Sequence, residues 1–193
     1  IRCYLKGLKT AVAPQGTAFK QSQAELLRKA NPRRVICLLD GDEAGQKAAM
    51  SYVPIFLQTG LDAHFATLPE GSDPDQILVK HGKDALSEII QQGQPAINYV
   101  CSKMLSKTPT PLEKRRASDF FFPALADMES LVMRDSYLNE LSRVLEISPQ
   151  SVKTDFQKFF KTRRPAYQQK SVTPFTEKIS VSGTERLTTA EDD

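Results

Sequence analysis

Tryptophan is absent from these 193 residues, histidine occurs only twice and cysteine only three times. The missing tryptophan decides nothing. Cys3, Cys37 and Cys101 are odd in number, lie far apart and form no CxxC pair. That argues against a structural zinc site within this chain. Cys37 lies in an apolar run and reads as a buried thiol, so a reducing, cytoplasmic setting is expected. No stretch approaches the ~20 apolar residues of a membrane span, and no signal peptide is visible. Charge of one sign is also lacking. With 26 basic and 23 acidic residues the net charge is +3, too small to argue nucleic-acid binding by itself. No internal repeat is present. The chain opens at Ile1 without methionine and without a helix start signal. Ile1, Leu5 and Leu8 share one helical face that Gly7 closes. The opening reads as the end of a helix whose beginning lies outside the sequence, a processed N-terminus being the alternative.

What is present is ordinary globular material, 40% hydrophobic and 25% charged, enough for one domain or two small ones. Thr10–Ala13 is a short apolar run, read as a strand, followed by a loop at Pro14–Thr17. Residues 20–30 read as a helix with Ala24, Leu27 and Ala30 on one face, stopped by Asn31-Pro32. Val35–Leu39 is continuously apolar, as in a strand buried on both faces of a parallel sheet. A helix over 43–58, interrupted by Pro54 and ended by Gly60, leads to a strand over 63–68 and then a short helix after the 69–75 loop. Strand and helix alternate, so a parallel α/β sheet with right-handed crossovers is predicted. Past residue 83 strand signals vanish, and helices are predicted at 83–92, 95–106, 112–133, 135–146 and 149–162. Residues 1–92 thus form an α/β part and 93–162 a helical subdomain. From 163 to 193 apolar residues thin out, and a flexible linker is expected.

Two acidic clusters stand out. Asp40-Gly41-Asp42 ends the first well-defined strand, and Asp73-Pro74-Asp75 follows the next. Parallel strands present their C-terminal ends at one edge, where ligands bind, so the clusters should converge. Four carboxylates in one cleft need protons or a cation to coexist. Oxygen ligands without histidine or cysteine suit magnesium or manganese. Gly41 and Gly45 allow close approach of backbone or ligand. The helix starting near Glu43 points free N–H groups at the same edge, favourable for phosphate. A plainer reading has Asp40 cap the 43–58 helix and Asp73 cap the next one. A third has Asp40 as a phosphorylated nucleophile of a DxD-type phosphatase. Ala44 then stands where such enzymes carry a hydroxyl or β-branched residue.

The segment Val35–Ala49 (VICLLDGDEAGQKAA) closely resembles the DGDxAGxxAA segment of DnaG-type bacterial primases. Leu68–Leu78 (LPEGSDPDQIL) resembles their LPxGxDPDxxL segment, and Ala11–Phe19 (AVAPQGTAF) their AVAxxGTAL loop, with Gln23 matching a following glutamine. The resemblance covers roughly residues 1–160. It implies a partial TOPRIM-type parallel sheet followed by an all-helical subdomain. The parent enzyme would copy single-stranded DNA into RNA primers from ribonucleoside triphosphates by nucleotidyl transfer with Mg²⁺ or Mn²⁺. The metal would lower the pKa of the primer 3′-hydroxyl and neutralise the triphosphate. Asp40 and Asp42 are the first choice of catalytic ligands, Asp73 and Asp75 the second pair, and Gly16, Thr17 and Gly45 are expected at the rim. The resemblance also places a glutamate-bearing motif just before Ile1, zinc only in an N-terminal region of the parent, and a replicative helicase as partner of its C-terminal region. Cation binding by this chain alone is therefore expected to be weak. Lys20 stands where the family often has a capping threonine or serine. Rival readings are another TOPRIM enzyme, topoisomerase or nuclease, and a non-catalytic docking module.

Other residues read more plainly. His64 is expected to be structural, His81 exposed, and Arg33-Arg34 a solvated pair at the edge opposite the carboxylates. Lys114-Arg115-Arg116 and Arg163-Arg164 are candidates for a nucleic-acid backbone, although basic runs are mostly solvated faces. Phe120-Phe121-Phe122 is assigned to the helical core. A helix-turn-helix around Ile147-Ser148-Pro149 lacks a basic recognition face.

Overall fold

The computed structural model describes residues 2–14 and 18–163. In chain order these form α1 (Arg2–Leu5), α2 (Gln21–Lys29), β1 (Val35–Leu39), α3 (Glu43–Thr59), β2 (Ala63–Thr67), α4 (Pro74–Lys80), α5 (Gly82–Gln91), β3 (Gln94–Pro95), α6 (Ala96–Met104), α7 (Pro111–Ala126), α8 (Leu131–Val144) and α9 (Pro149–Arg163). The expected tether at 163–193 falls, but for Arg163, outside the described residues.

β1 and β2 pair in parallel, Val35 opposite Ala63 through Leu39 opposite Thr67. The sheet order is β1-β2-β3. Side chains alternate across it. Leu39, Ala63 and Phe65 face a large core with α3, α6 and α7–α9. Leu38 and Leu68 face a smaller core with Ile77, Leu78 and Leu86 of α4 and α5. Helices therefore cover both faces, as a parallel sheet requires. Among the described residues no helix is long and apolar enough to cross a membrane.

Several expectations need correction. No strand forms at Thr10–Ala13. Val12 is 75% exposed there, and two alanines and a valine have no neighbouring strand among the described residues to pair with. The N-terminal helix is a single turn that leaves Leu5 74% exposed, although Gly7 does close it with φ 89°. β1 pairs only with β2 among the described strands, so most of its residues are half-buried rather than enclosed on both faces. The sheet is not wholly parallel, because the two-residue β3 runs antiparallel to β2. A strand so short, ending in proline, leaves no periodic signal. α3 runs unbroken through Pro54 and ends at Gly60 in the left-handed conformation. The Leu61 N–H donates back to the Phe56 carbonyl, closing the helix as glycine caps do.

The break between the helices predicted at 112–133 and 135–146 falls earlier, at residues 127–130. Asp127 ends α7, and Ser130 starts α8 by accepting from the Met133 N–H at 3.3 Å. Phe121 and Phe122 are buried in the large core, as expected, with Phe120 partly buried against it. Phe122 meets Phe156 edge-on at 5.4 Å. α7 begins with a capping box that the sequence reading passed over. Thr110 accepts from the Glu113 N–H, and Glu113 accepts from the Thr110 N–H at 2.7 Å.

The Thr110 backbone N–H, then the Thr110 hydroxyl, hold the Glu113 carboxyl below its usual range. A depressed folded pKa stabilises above the unfolded pKa and is lost as pH falls through the folded one. The first turn of α7 should therefore fray only below the ordinary carboxylate range. A carboxyl carbon NMR titration checks this: Glu113 should titrate below an ordinary glutamate, and a midpoint at or above it would contradict the box.

The thiols follow from burial. Cys37, half-buried on its edge strand, and buried Cys101 are both pushed up to about 12 by desolvation, Glu140 adding to the shift at Cys101. Because the thiolate is the reactive form, a thiol reagent at mildly alkaline pH should leave Cys37 and Cys101 largely unmodified in the folded chain and label them on unfolding. Rapid labelling of either before unfolding would overturn this.

Candidate metal and phosphate site

Parallel pairing places the residues after Leu39 and after Thr67 side by side at the C-terminal edge of the sheet. The Leu68 N–H donates to the Leu39 carbonyl at 3.0 Å, extending the register to that edge. There the chain turns sharply at Asp40-Gly41-Asp42. The turn is packed against the neighbouring loop: a Cβ on Gly41 would lie 2.3 Å from the Leu68 carbonyl oxygen and 2.6 Å from that of Pro69. A Cβ on Gly45 would lie 2.2 Å from the Asp40 carbonyl oxygen. Both glycines are thus required by close backbone approach. The first locks the Asp40–Asp42 turn onto the Leu68-Pro69 loop, and the second presses the first turn of α3 against Asp40.

The four carboxylates have different surroundings. Asp40 is exposed and makes no hydrogen bond or ion pair among the described residues. Asp42 is the N-cap of α3, its Oδ1 accepting from the Gly45 N–H at 2.7 Å. The cap is therefore Asp42, not Asp40 as the plainer reading had it. Asp73 caps α4 by accepting from the Gln76 N–H at 2.7 Å, with Pro74 at the first helical position. Asp75 lies 3.0 Å from the Arg2 guanidinium, both half-exposed. Glu43 pairs with Lys47 one turn along α3 at 2.7 Å.

Both clusters therefore follow strands that end at the same edge, but their side chains do not close into a cage. Among the described residues no three His, Cys, Asp or Glu side chains gather to hold a metal. Gly16 and Thr17 lie outside the described residues. The partner of Asp75 had escaped the sequence reading, since nothing in the pattern links Arg2 to a residue so far along the chain. Thr67 was also passed over: it is exposed at the end of β2, level with Leu39 and so next to the turn bearing Asp40.

The donor set available at the turn suits a hard divalent ion. Asp40 is uncommitted among the described residues, and Asp42 uses one oxygen as a cap. Magnesium is commonly held by one or two carboxylates, with waters and substrate phosphate filling the remaining positions. The N-terminus of α3 opens beside it, favourable for an anion.

Asparagine caps a helix as well as aspartate does, whereas alanine does not. Asp42→Asn should therefore keep the chain's unfolding midpoint, while Asp42→Ala loses about 1 kcal/mol. Urea unfolding distinguishes them, and equal stabilities would show that the cap contributes nothing.

His64 is buried in β2, its Nδ1 3.1 Å from the Gly93 carbonyl and its Nε2 3.3 Å from Asp62. Arg34 pairs with Asp62 at 3.2 Å, at the edge opposite the carboxylates, and Arg33 is exposed. His81 is exposed between α4 and α5. Arg115 reaches Asp119 at 3.6 Å, and Arg163 forks onto Asp127 at 2.9 Å.

The Toprim-like family matches residues 2–78. A DNA primase of Aquifex aeolicus is 42% identical over 90 residues, covering 47% of this chain and 18% of the relative. The crystal structure of a DNA primase domain from Pseudomonas aeruginosa aligns with TM-score 0.67 at 27% identity, covering 79% of this chain and 49% of that one. A DnaG primase catalytic domain bound to single-stranded DNA aligns with TM-score 0.60 at 29% identity, covering 72% and 46% respectively. The chain thus spans under a fifth of that curated relative and about half of each of these two solved chains.

Proposed function

We propose that this chain, which belongs to the DnaG-type primase family, supplies the aspartate side of a nucleotidyl-transfer site in a longer RNA-synthesising enzyme. The observation carrying this reading is the Asp40–Asp42 turn at the C-terminal end of β1, locked by Gly41 onto the loop that leads to Asp73 and Asp75. Asp40, exposed and without a hydrogen bond or ion pair among the described residues, and the free oxygen of Asp42 would hold a magnesium or manganese ion. A divalent ion bound there would supply a lowered pKa for the primer 3′-hydroxyl and an offset to the charge of the triphosphate. Gly45 keeps the first turn of α3 against Asp40, so the helix N-terminus faces the triphosphate. Asp73 fixes the start of α4. Asp73 and Asp75 would be the second pair of carboxylates turned to the cation.

The substrates in this reading are ribonucleoside triphosphates and a single-stranded DNA template. The α/β part at 1–92 carries the site. The helices of 93–162 share the large core with it, and a replicative helicase would be a partner of the longer enzyme. A zinc-binding region belongs to the N-terminal part of the same enzyme. The test is primer synthesis by the complete polymerase core carrying Asp40→Ala or Asp42→Asn. Loss of synthesis with normal folding is expected. Normal priming by both variants would refute the assignment and favour a non-catalytic docking role.

A further inference from the structure

The end of β2 carries a hydroxyl that the fold leaves free. Ala63, His64, Phe65 and Ala66 are buried, and Thr67 alone in the strand is exposed. Threonine in a strand is ordinary, since β-branched residues suit the pleated backbone, but the position of this one is not. It is the register partner of Leu39, the residue before Asp40, on a neighbouring strand about 4.8 Å away. Alternation sets its side chain on the same face as Leu39, Ala63 and Phe65, the face that α3 covers. Asp42 caps α3 there. Thr67 thus stands at the corner of the sheet where the Asp40–Asp42 turn enters α3.

A hard divalent ion held by one or two carboxylates keeps several waters. Protein groups that accept from the ligands of an ion orient them and raise its affinity. Around this turn most acceptors are already engaged. The Leu39 carbonyl takes the Leu68 N–H and the Pro69 carbonyl takes the Ser72 N–H, each at 3.0 Å. The carbonyls of Leu68 and Pro69 lie against Gly41, and that of Asp40 against Gly45. Asp42 gives Oδ1 to the Gly45 N–H. The Thr67 hydroxyl, by contrast, makes no hydrogen bond among the described residues, and its oxygen has two lone pairs to offer.

We infer that Thr67 is a positioning residue for the divalent ion, its hydroxyl accepting a hydrogen bond from a water on an ion held by Asp40 and Asp42. The inference rests on the reading of those two aspartates as the cation site, and it adds a side chain from the neighbouring strand. A merely structural role makes a different demand of the position. What a strand end needs is the branched Cβ, which valine keeps and serine lacks. What the ion needs is the hydroxyl, which serine keeps and valine lacks.

Mn²⁺ titration of the full 193-residue chain, read by broadening of the Asp40–Gln46 amides in NMR, compares the two substitutions. Thr67→Val should require at least about ten times more Mn²⁺ for the same broadening, the low end of what partners of metal ligands contribute, while Thr67→Ser stays within about twofold of the unsubstituted chain. Thr67 is exposed, so circular dichroism should show both variants folded. Unchanged broadening in Thr67→Val, with the effect lost in Asp40→Ala, overturns the role of Thr67 and leaves the cation site standing. Equal weakening in Thr67→Ser and Thr67→Val assigns the effect to the shape of the side chain and overturns the role as well. Broadening that survives in Asp40→Ala removes the cation site and this inference together.

Discussion

Asp40→Ala is expected to abolish divalent-ion binding at the strand edge while leaving the stability of the chain unchanged. The reasoning rests on what Asp40 does not do. Its carboxylate is exposed and makes no hydrogen bond or ion pair among the described residues. Removing it takes away no cap, no pair and no buried contact, so surface-level changes within about 0.5 kcal/mol are expected in urea. A carboxylate at the mouth of a helix, one residue past a parallel strand, is costly to replace if a cation is to sit there. Even outer-shell partners of metal ligands cost about 10- to 100-fold in affinity or activity. A direct ligand should cost at least about a hundredfold on the same scale. In the complete core the same substitution should reduce primer synthesis by at least that factor. A stable variant that primes normally would show that Asp40 is bystander acidity at a turn.

Gly45→Ala should have the larger structural effect. A methyl group there would sit 2.2 Å from the Asp40 carbonyl oxygen, and that oxygen belongs to backbone held by the β1 register. A flexible side chain has no part in the clash, so nothing can swing aside. Either the first turn of α3 lifts away or the Asp40–Asp42 turn moves. Overpacking of this kind costs about 1–3 kcal/mol, occasionally more. It also breaks the 2.7 Å bond from the Gly45 N–H to Asp42. Gly41→Ala should behave alike, since its Cβ would meet the Leu68 carbonyl oxygen at 2.3 Å. The variants should unfold at lower urea and bind divalent ions less tightly, whereas Gly71→Ala, with no heavy atom within 4 Å of its Cβ, should suffer only from its positive φ. Wild-type stability in Gly45→Ala would contradict the packing described.

These two cases also show what the sequence can and cannot convey. The apolar block Val35–Leu39 and the acidic turn after it were legible because a buried strand and a helix start have strong local signatures. Their pairing with Ala63–Thr67, and hence the shared edge, followed from the alternation of strand and helix, which makes neighbouring strands parallel. The reason for the glycines was legible only in part. Close approach was expected, but that the approaching groups are the Leu68, Pro69 and Asp40 carbonyls required coordinates. The Asp42 cap went to the second aspartate of the turn rather than the first, a choice set by where α3 begins and not by composition. The Arg2–Asp75 pair and the antiparallel β3 were invisible because both depend on contacts between distant segments. The break between α7 and α8 was expected near residue 134 and lies at 127–130, where Ser130 caps α8, a start signal that the apolar run through Leu131 and Val132 masked.

The central claim is that Asp40 and Asp42 hold a divalent ion at the C-terminal edge of β1 and β2. Titration of the isotope-labelled chain with Mn²⁺, followed by amide NMR, tests it most directly, since the ion broadens signals near its site. The account predicts that amides around Asp40–Gln46 and Thr67–Asp73 broaden first, that Mg²⁺ restores them, and that Asp40→Ala removes the effect. Broadening that begins elsewhere, or that persists unchanged in Asp40→Ala, would contradict it.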